Sequence, residues 1–257
     1  GRTMEALGKL TGHRRSRLFA GDWVTPEGIV YSDFSEENIT AAEPDPALPF
    51  ELAADDGFVD PRVILFIQRT PTRILVFDEM YHTRHLAETC VRESLAKSAA
   101  LSGQVIPDEI GAGPLGGIAA WCRGADPHRA QRPLRTSDLP KASAGDPPRP
   151  RVQLPDIVIG SPEAKELQER FRLADIGYRL PAEKLIRPGL DVMRRLICDS
   201  NGYRALQVHR RCKNLIFEVT EGYQYPQGSR RTDEELPIDK DNHGPDAFRM
   251  WAVTRAR

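Results

Sequence analysis

Three apolar runs separated by short polar breaks set the tightest limit on what this chain folds into: FELAADDG at 50–57, RVILFIQR at 62–69 and RILVFDEMY at 73–81. Each is rich in β-forming residues, and Gly57, Pro61 and Pro71 punctuate the breaks. Runs spaced this closely read as a meander of adjacent antiparallel strands. A helix is expected over roughly 84–100, after which Gly and Pro crowd the chain from 101 to 151. The stretch 123–152 cannot bury enough apolar surface to order itself well and reads as a long loop or mobile insertion.

Regular structure resumes with PDIVIG (155–160) as a short buried strand. SPEAKELQERFRLA follows as a helix with Ser161 as N-cap and Pro162 at the first helical position. GYRLPA reads as a strand, GLDVMRRLIC as a helix, ALQVHR as a strand, CKNLIFEVTEGYQY as a helix and 242–255 as the last helix. Ahead of the meander, 1–23 is a basic entry and EGIVYSDF suggests a short strand. Three antiparallel strands, a helix, then alternating strand and helix is an order compatible with an α/β fold of RNase H-like type, a mixed sheet flanked by helices. Such a sheet gathers acids at the end of its first strand, beside the next central strand, and on a late helix.

Length and charge constrain less. The 257 residues suffice for a substantial core in one large α/β domain or two small ones. Lys plus Arg number 36 against 37 Asp plus Glu, so there is no global nucleic-acid signature, although an enzyme can pair a basic groove with an acidic metal site. Four scattered cysteines indicate neither a disulfide framework nor a structural zinc site. No run of membrane-spanning length and no signal-peptide h-region is present, which points to a soluble, intracellular protein.

The candidate chemistry is acidic. Asp55 and Asp56 end an apolar strand before Gly57, with Asp60-Pro61 close behind; an ordinary turn explains them equally. Glu79 ends the third strand and faces either a site or solvent. His243 and Asp246, three apart in the first turn of the last helix, share one face; helix capping is the simpler account of both. Lys184 and Arg187 are candidate phosphate contacts or a solvated basic face. His82 and His85 have the spacing for shared metal binding but no clear third ligand.

Six segments together resemble, in order and rough spacing, the C-terminal nuclease domain of tailed-phage large terminase subunits. They are GDWVTPEGIVYSDF, ADDGFVDP, FDEMY, GYRLPAEKLIRPGLDVMRRLI, CKNLIFEVTEGYQY and DNHGPDAFRMW. The resemblance covers nearly the whole chain outside 101–152. It implies one RNase H-like nuclease domain over 1–257, with 1–49 as an entry segment and 101–152 as a loop-rich insertion. It further implies a metal-dependent endonuclease that cuts concatemeric double-stranded phage DNA with two Mg²⁺ or Mn²⁺ ions. The family's first catalytic aspartate falls on Asp55, an auxiliary metal-side acid on Asp60, the last metal ligand on Asp246 and its neighbour on His243. The middle aspartate is missing: Gly160 stands there, so either Glu163 or Glu79 substitutes or the site is weakened. The family's packaging ATPase lies N-terminal to this domain, and no GxxxxGK[ST] loop is present, so the chain looks like an excised nuclease domain. The implied partners are that ATPase domain, the portal and the small terminase subunit, and the implied location is the host bacterial cytoplasm at the procapsid portal. The rival readings are a DNA-gripping or docking module with weakened catalysis, and another RNase H-like nuclease such as a resolvase.

Overall fold

The computed structural model describes residues 28–127, 152–183, 185–226 and 236–256. Its centre is a seven-stranded sheet in the order β1-β7-β4-β3-β2-β5-β6. The strands are β1 (Ile39–Thr40), β2 (Phe50–Asp55), β3 (Arg62–Arg69), β4 (Ile74–His82), β5 (Val158–Gly160), β6 (Tyr178–Arg179) and β7 (Leu206–His209). The expected meander is β2-β3-β4, antiparallel throughout, with Asp55 opposite Val63 and Val63 opposite Tyr81. β5 joins β2 in parallel, with Ala54 opposite Gly160, and β6, β7 and β1 extend the two edges in parallel. This is the mixed sheet expected from the order of elements.

The unbroken apolar run of β3 has a physical reason. A central strand covered on both faces has no solvent side, so polar alternation disappears. Val63, Leu65 and Ile67 point into one core while Ile64 and Phe66 point into the other. The helices are α1 (Ala87–Leu101), α2 (Asp108–Gly111), α3 (Leu115–Cys122), α4 (Lys165–Leu173), α5 (Ile186–Ile197), α6 (Lys213–Phe217) and α7 (His243–Arg255). α1, α3 and α4 cover the second core; α5, α6 and α7 cover the first.

Four local expectations are corrected. In place of the strand expected over EGIVYSDF, residues 28–33 form turns with one isolated bridge, Ile29 to Gln224, and Ile29, Val30 and Tyr31 are all buried. Within the expected insertion, α2 and α3 are helical, and α3 buries Leu115, Ile118, Ala119 and Cys122; residues 128–151 lie outside the described residues. α4 begins at Lys165 with no side-chain cap, since Ser161 is held elsewhere. The helix expected over 212–225 switches at Glu218 into a π-turn, Glu218–Gly222.

Candidate active site

Asp55 ends β2, where the side chain emerges on the face covered by α6 and α7. β5 runs parallel beside it, and the turn after β5 carries Glu163. α7 packs across both strands and presents Asp246 from its first turn. Asp55, Ser161, Glu163, Asp246 and Arg249 line one cleft of about 250 Å³, closed by Pro162, Pro181 and Met250. Three carboxylates distant in sequence thus share one small cavity.

Each acid is held by a neighbour. His243 Nδ1 lies 3.3 Å from Asp55 Oδ2, and this contact raises the His243 pKa above its usual value, with burial opposing. Arg249 Nε donates to Asp246 Oδ1 at 3.0 Å. Burial raises the Asp246 pKa, the Arg249 charge opposes the rise and the Asp55 charge adds to it. Arg249 itself is buried, lying across the bare backbone of Gly189 on α5, where a Cβ would stand 2.5 Å from its Cγ. Ser161 Oγ donates to Glu163 Oε2 at 2.7 Å and accepts from the Glu163 N–H at 3.3 Å. Ser161 is pinned in turn: its N–H reaches the Ala54 carbonyl at 3.2 Å and its own carbonyl accepts from Tyr178 Oη at 3.0 Å.

No side chain fits at Gly160, where the resemblance implies an acid in the family. A Cβ there would collide with the Ala54 carbonyl oxygen and stand 2.6 Å from Tyr178 Oη. The first acid to follow this strand along the chain is Glu163, three residues on.

The other sequence candidates are placed differently. Asp60 is exposed and contributes to the raised His243 pKa without lining the cleft. Glu79 is half-buried and does not line the cleft. Its carboxylate accepts from the Asn214 N–H at 2.8 Å, the Asn214 side chain at 2.9 Å and the Leu215 N–H at 2.9 Å. It thereby caps α6, whose first N–H groups otherwise lack partners. Arg187 is exposed in the first turn of α5, and Lys184 lies outside the described residues. Sequence reasoning missed Glu218, a buried acid whose Oε2 accepts from the Gly244 N–H at 2.7 Å and from Tyr81 Oη at 2.9 Å. Glu218 caps the helix that carries Asp246, and burial pushes its pKa up to about 7.

Neither a protein-family model nor a curated protein sequence matches the chain. Solved structures do. The large terminase of a thermophilic bacteriophage superposes with a TM-score of 0.59 at 15% identity over 99% of this chain and 51% of its own. The P22 large terminase nuclease domain superposes with a TM-score of 0.52 at 11% identity over 90% of this chain and 93% of its own. The fold is that of a large terminase nuclease domain. The SPP1 large terminase nuclease domain with bound Mn is a weaker likeness, with a TM-score of 0.46 at 14% identity over 87% of this chain and 99% of its own. The chain spans about half the length of the thermophilic-phage terminase and nearly all of the P22 nuclease domain. Among the described residues no helix is long and apolar enough to cross a membrane.

Proposed function

We propose that this chain is a divalent-metal-dependent endodeoxyribonuclease domain of a phage packaging terminase, acting on double-stranded DNA. The observation that carries the reading is the convergence of Asp55, Glu163 and Asp246 on one cleft in a terminase-nuclease fold. The donor set suits the ions: an all-oxygen cluster of carboxylates is what hard cations such as Mg²⁺ and Mn²⁺ select. Burial is the main cause of the raised Asp246 pKa and the Asp55 charge adds to it; a bound cation would favour the ionised carboxylate against both.

Asp55, Glu163 and Asp246 are the residues that would hold one or two such ions, with Asp60 at the exposed rim. Ions bound in such a site supply an activated water at neutral pH and charge stabilisation at the leaving oxygen. The protein's own contribution is placement. Arg249 fixes the rotamer of Asp246, Ser161 orients Glu163 towards the cleft, and His243 holds Asp55. Arg187, and Lys184 in the same stretch, would meet the phosphate backbone, a contact that favours affinity over base specificity. The ATPase domain, the portal and the small terminase subunit are the partners this reading implies, in the cytoplasm of an infected bacterium.

Nicking of supercoiled plasmid in Mn²⁺ or Mg²⁺ tests the reading. The native chain should cut, and Asp55→Asn, Glu163→Gln and Asp246→Asn should each abolish cutting while the circular dichroism spectrum is kept. Undiminished cutting by Glu163→Gln would remove it from the ligand set, and metal-dependent DNA binding without cutting by the native chain would favour a docking module.

A further inference from the structure

On the opposite face of the sheet from the carboxylate cleft, His82, His85 and Glu93 bring three ligand atoms within 4.8 Å of one another. His82 ends β4, Glu93 sits on α1 and His85 lies in the connection between them. His82 Nε2 is 2.6 Å from Glu93 Oε2, and the two imidazoles stack with centroids 4.5 Å apart. The strand register separates this cluster from the cleft. Asp55, Val63 and Tyr81 are partners on one face, with the Tyr81 hydroxyl reaching Glu218, whereas His82 pairs with Arg62 on the other.

The connection is shaped to bring His85 home. Arg84 adopts a left-handed φ of 58°, an uncommon conformation for a residue with a side chain, and its N–H donates to the Phe58 carbonyl at 2.7 Å. Buried Arg62 then grips the His85 carbonyl at 2.8 Å while its Nε bonds Asp56. A simple ion pair accounts for His82 and Glu93. It does not account for a second imidazole laid over the first by a strained turn and a buried arginine.

We propose that His82, His85 and Glu93 form a second cation site that takes a borderline transition ion of the Zn²⁺ class and ties the end of β4 to α1. Two imidazoles and one carboxylate suit Zn²⁺, Ni²⁺ or Co²⁺ and not Mg²⁺, and the exposed edge leaves a fourth position for water. Ligands about 2.0–2.1 Å from a tetrahedral ion lie roughly 3.3 Å apart, so the His82–Glu93 pair opens and the widest pair closes slightly. His85 is exposed and Glu93 half-exposed, which allows that adjustment. None of these three residues belongs to the carboxylate cleft, so the second site holds whether or not the cleft cuts DNA.

The test is calorimetric titration of ZnCl₂ into the untagged chain in millimolar Mg²⁺, repeated on Asp55→Asn so that the cleft does not contribute. One equivalent should bind with micromolar or tighter affinity in both. His82→Ala, His85→Ala and Glu93→Gln should each weaken binding by at least about 10–100-fold. Saturating Zn²⁺ should raise the thermal midpoint by on the order of 5 °C, an effect lost in the same variants. Co²⁺ in place of Zn²⁺ should give a visible absorption band of four-coordinate type that His85→Ala removes. Affinity unchanged in all three variants, or no saturable binding in the micromolar range, overturns the proposal.

Discussion

At the scale of single residues, Gly160 decides how the site is completed. A side chain at this position meets the Ala54 backbone and Tyr178 Oη, so Gly160→Asp, conceived as restoration of a ligand, is expected to overpack the junction of β2, β5 and β6. The cost should be about 1–3 kcal/mol or more, read as a lower thermal midpoint, with no gain in metal affinity. The three cleft acids should also differ in their structural roles. Asp246→Asn leaves the buried Arg249 guanidinium without its counter-charge and should cost about 1–3 kcal/mol, whereas Glu163→Gln should change the midpoint little. Equal destabilisation by both in urea titrations would show that Arg249 is neutralised elsewhere. Glu218 supplies the pH dependence. Its folded pKa of about 7 stands above the ordinary 4.5, so between those values the native state binds more protons than the unfolded one. Stability should therefore fall as pH rises from about 4.5 to 7, by on the order of 1–3 kcal/mol. Glu218→Gln keeps an acceptor for the Gly244 N–H, and urea unfolding of this variant at several pH values should show the slope flattened.

At the scale of elements, two helices are begun by carboxylates that are remote in sequence. Glu79 on β4 caps α6, and Glu218 on the π-turn after α6 caps α7. This relay ties α6 to the end of β4 and α7 to the π-turn that follows α6. Gly244 permits the second step, because a Cβ there would strike Tyr81 Oη and come within 2.9 Å of Glu218 Oε2. Glu79→Ala should accordingly destabilise the fold by about 1–2 kcal/mol, as cap removal does, while metal-dependent plasmid nicking persists at a comparable rate. Loss of nicking with an unchanged thermal midpoint would instead make Glu79 part of the cleft chemistry.

At the scale of the whole molecule, the C-terminal helix closes the architecture. α7 lies across β2, β3 and β5, and burial of Phe248, Trp251, Ala252 and Val253 is nearly complete. Trp251 also donates from Nε1 to Glu51 Oε2 at 2.7 Å, locking the helix to the strand that carries Asp55. Trp251→Ala should cost about 3–5 kcal/mol in chemical denaturation. The same substitution should depress nicking even where the protein remains folded, because Asp246 rides on that helix. Full activity in the folded variant would mean that the carboxylates find their places without this anchor.

Much of the element order was legible in the sequence because it follows from local pattern. The meander of β2, β3 and β4 shows in apolar runs and Gly/Pro breaks, and α7 shows in its apolar stripe. Asp55 and Asp246 stood out because they mark the end of a strand and the start of a helix. What the pattern left open was every choice that depends on a contact across the chain. Glu79 and Glu163 were equivalent as letters in a sequence; the packing of α6 turned one into a helix cap, and the turn after β5 turned the other into the cleft. Glu93 lies 11 positions from His82, and only the return of α1 over the end of β4 sets the two side by side. Local propensity is written along the chain, whereas the partner of a buried charge is settled by which distant segment fills the space beside it.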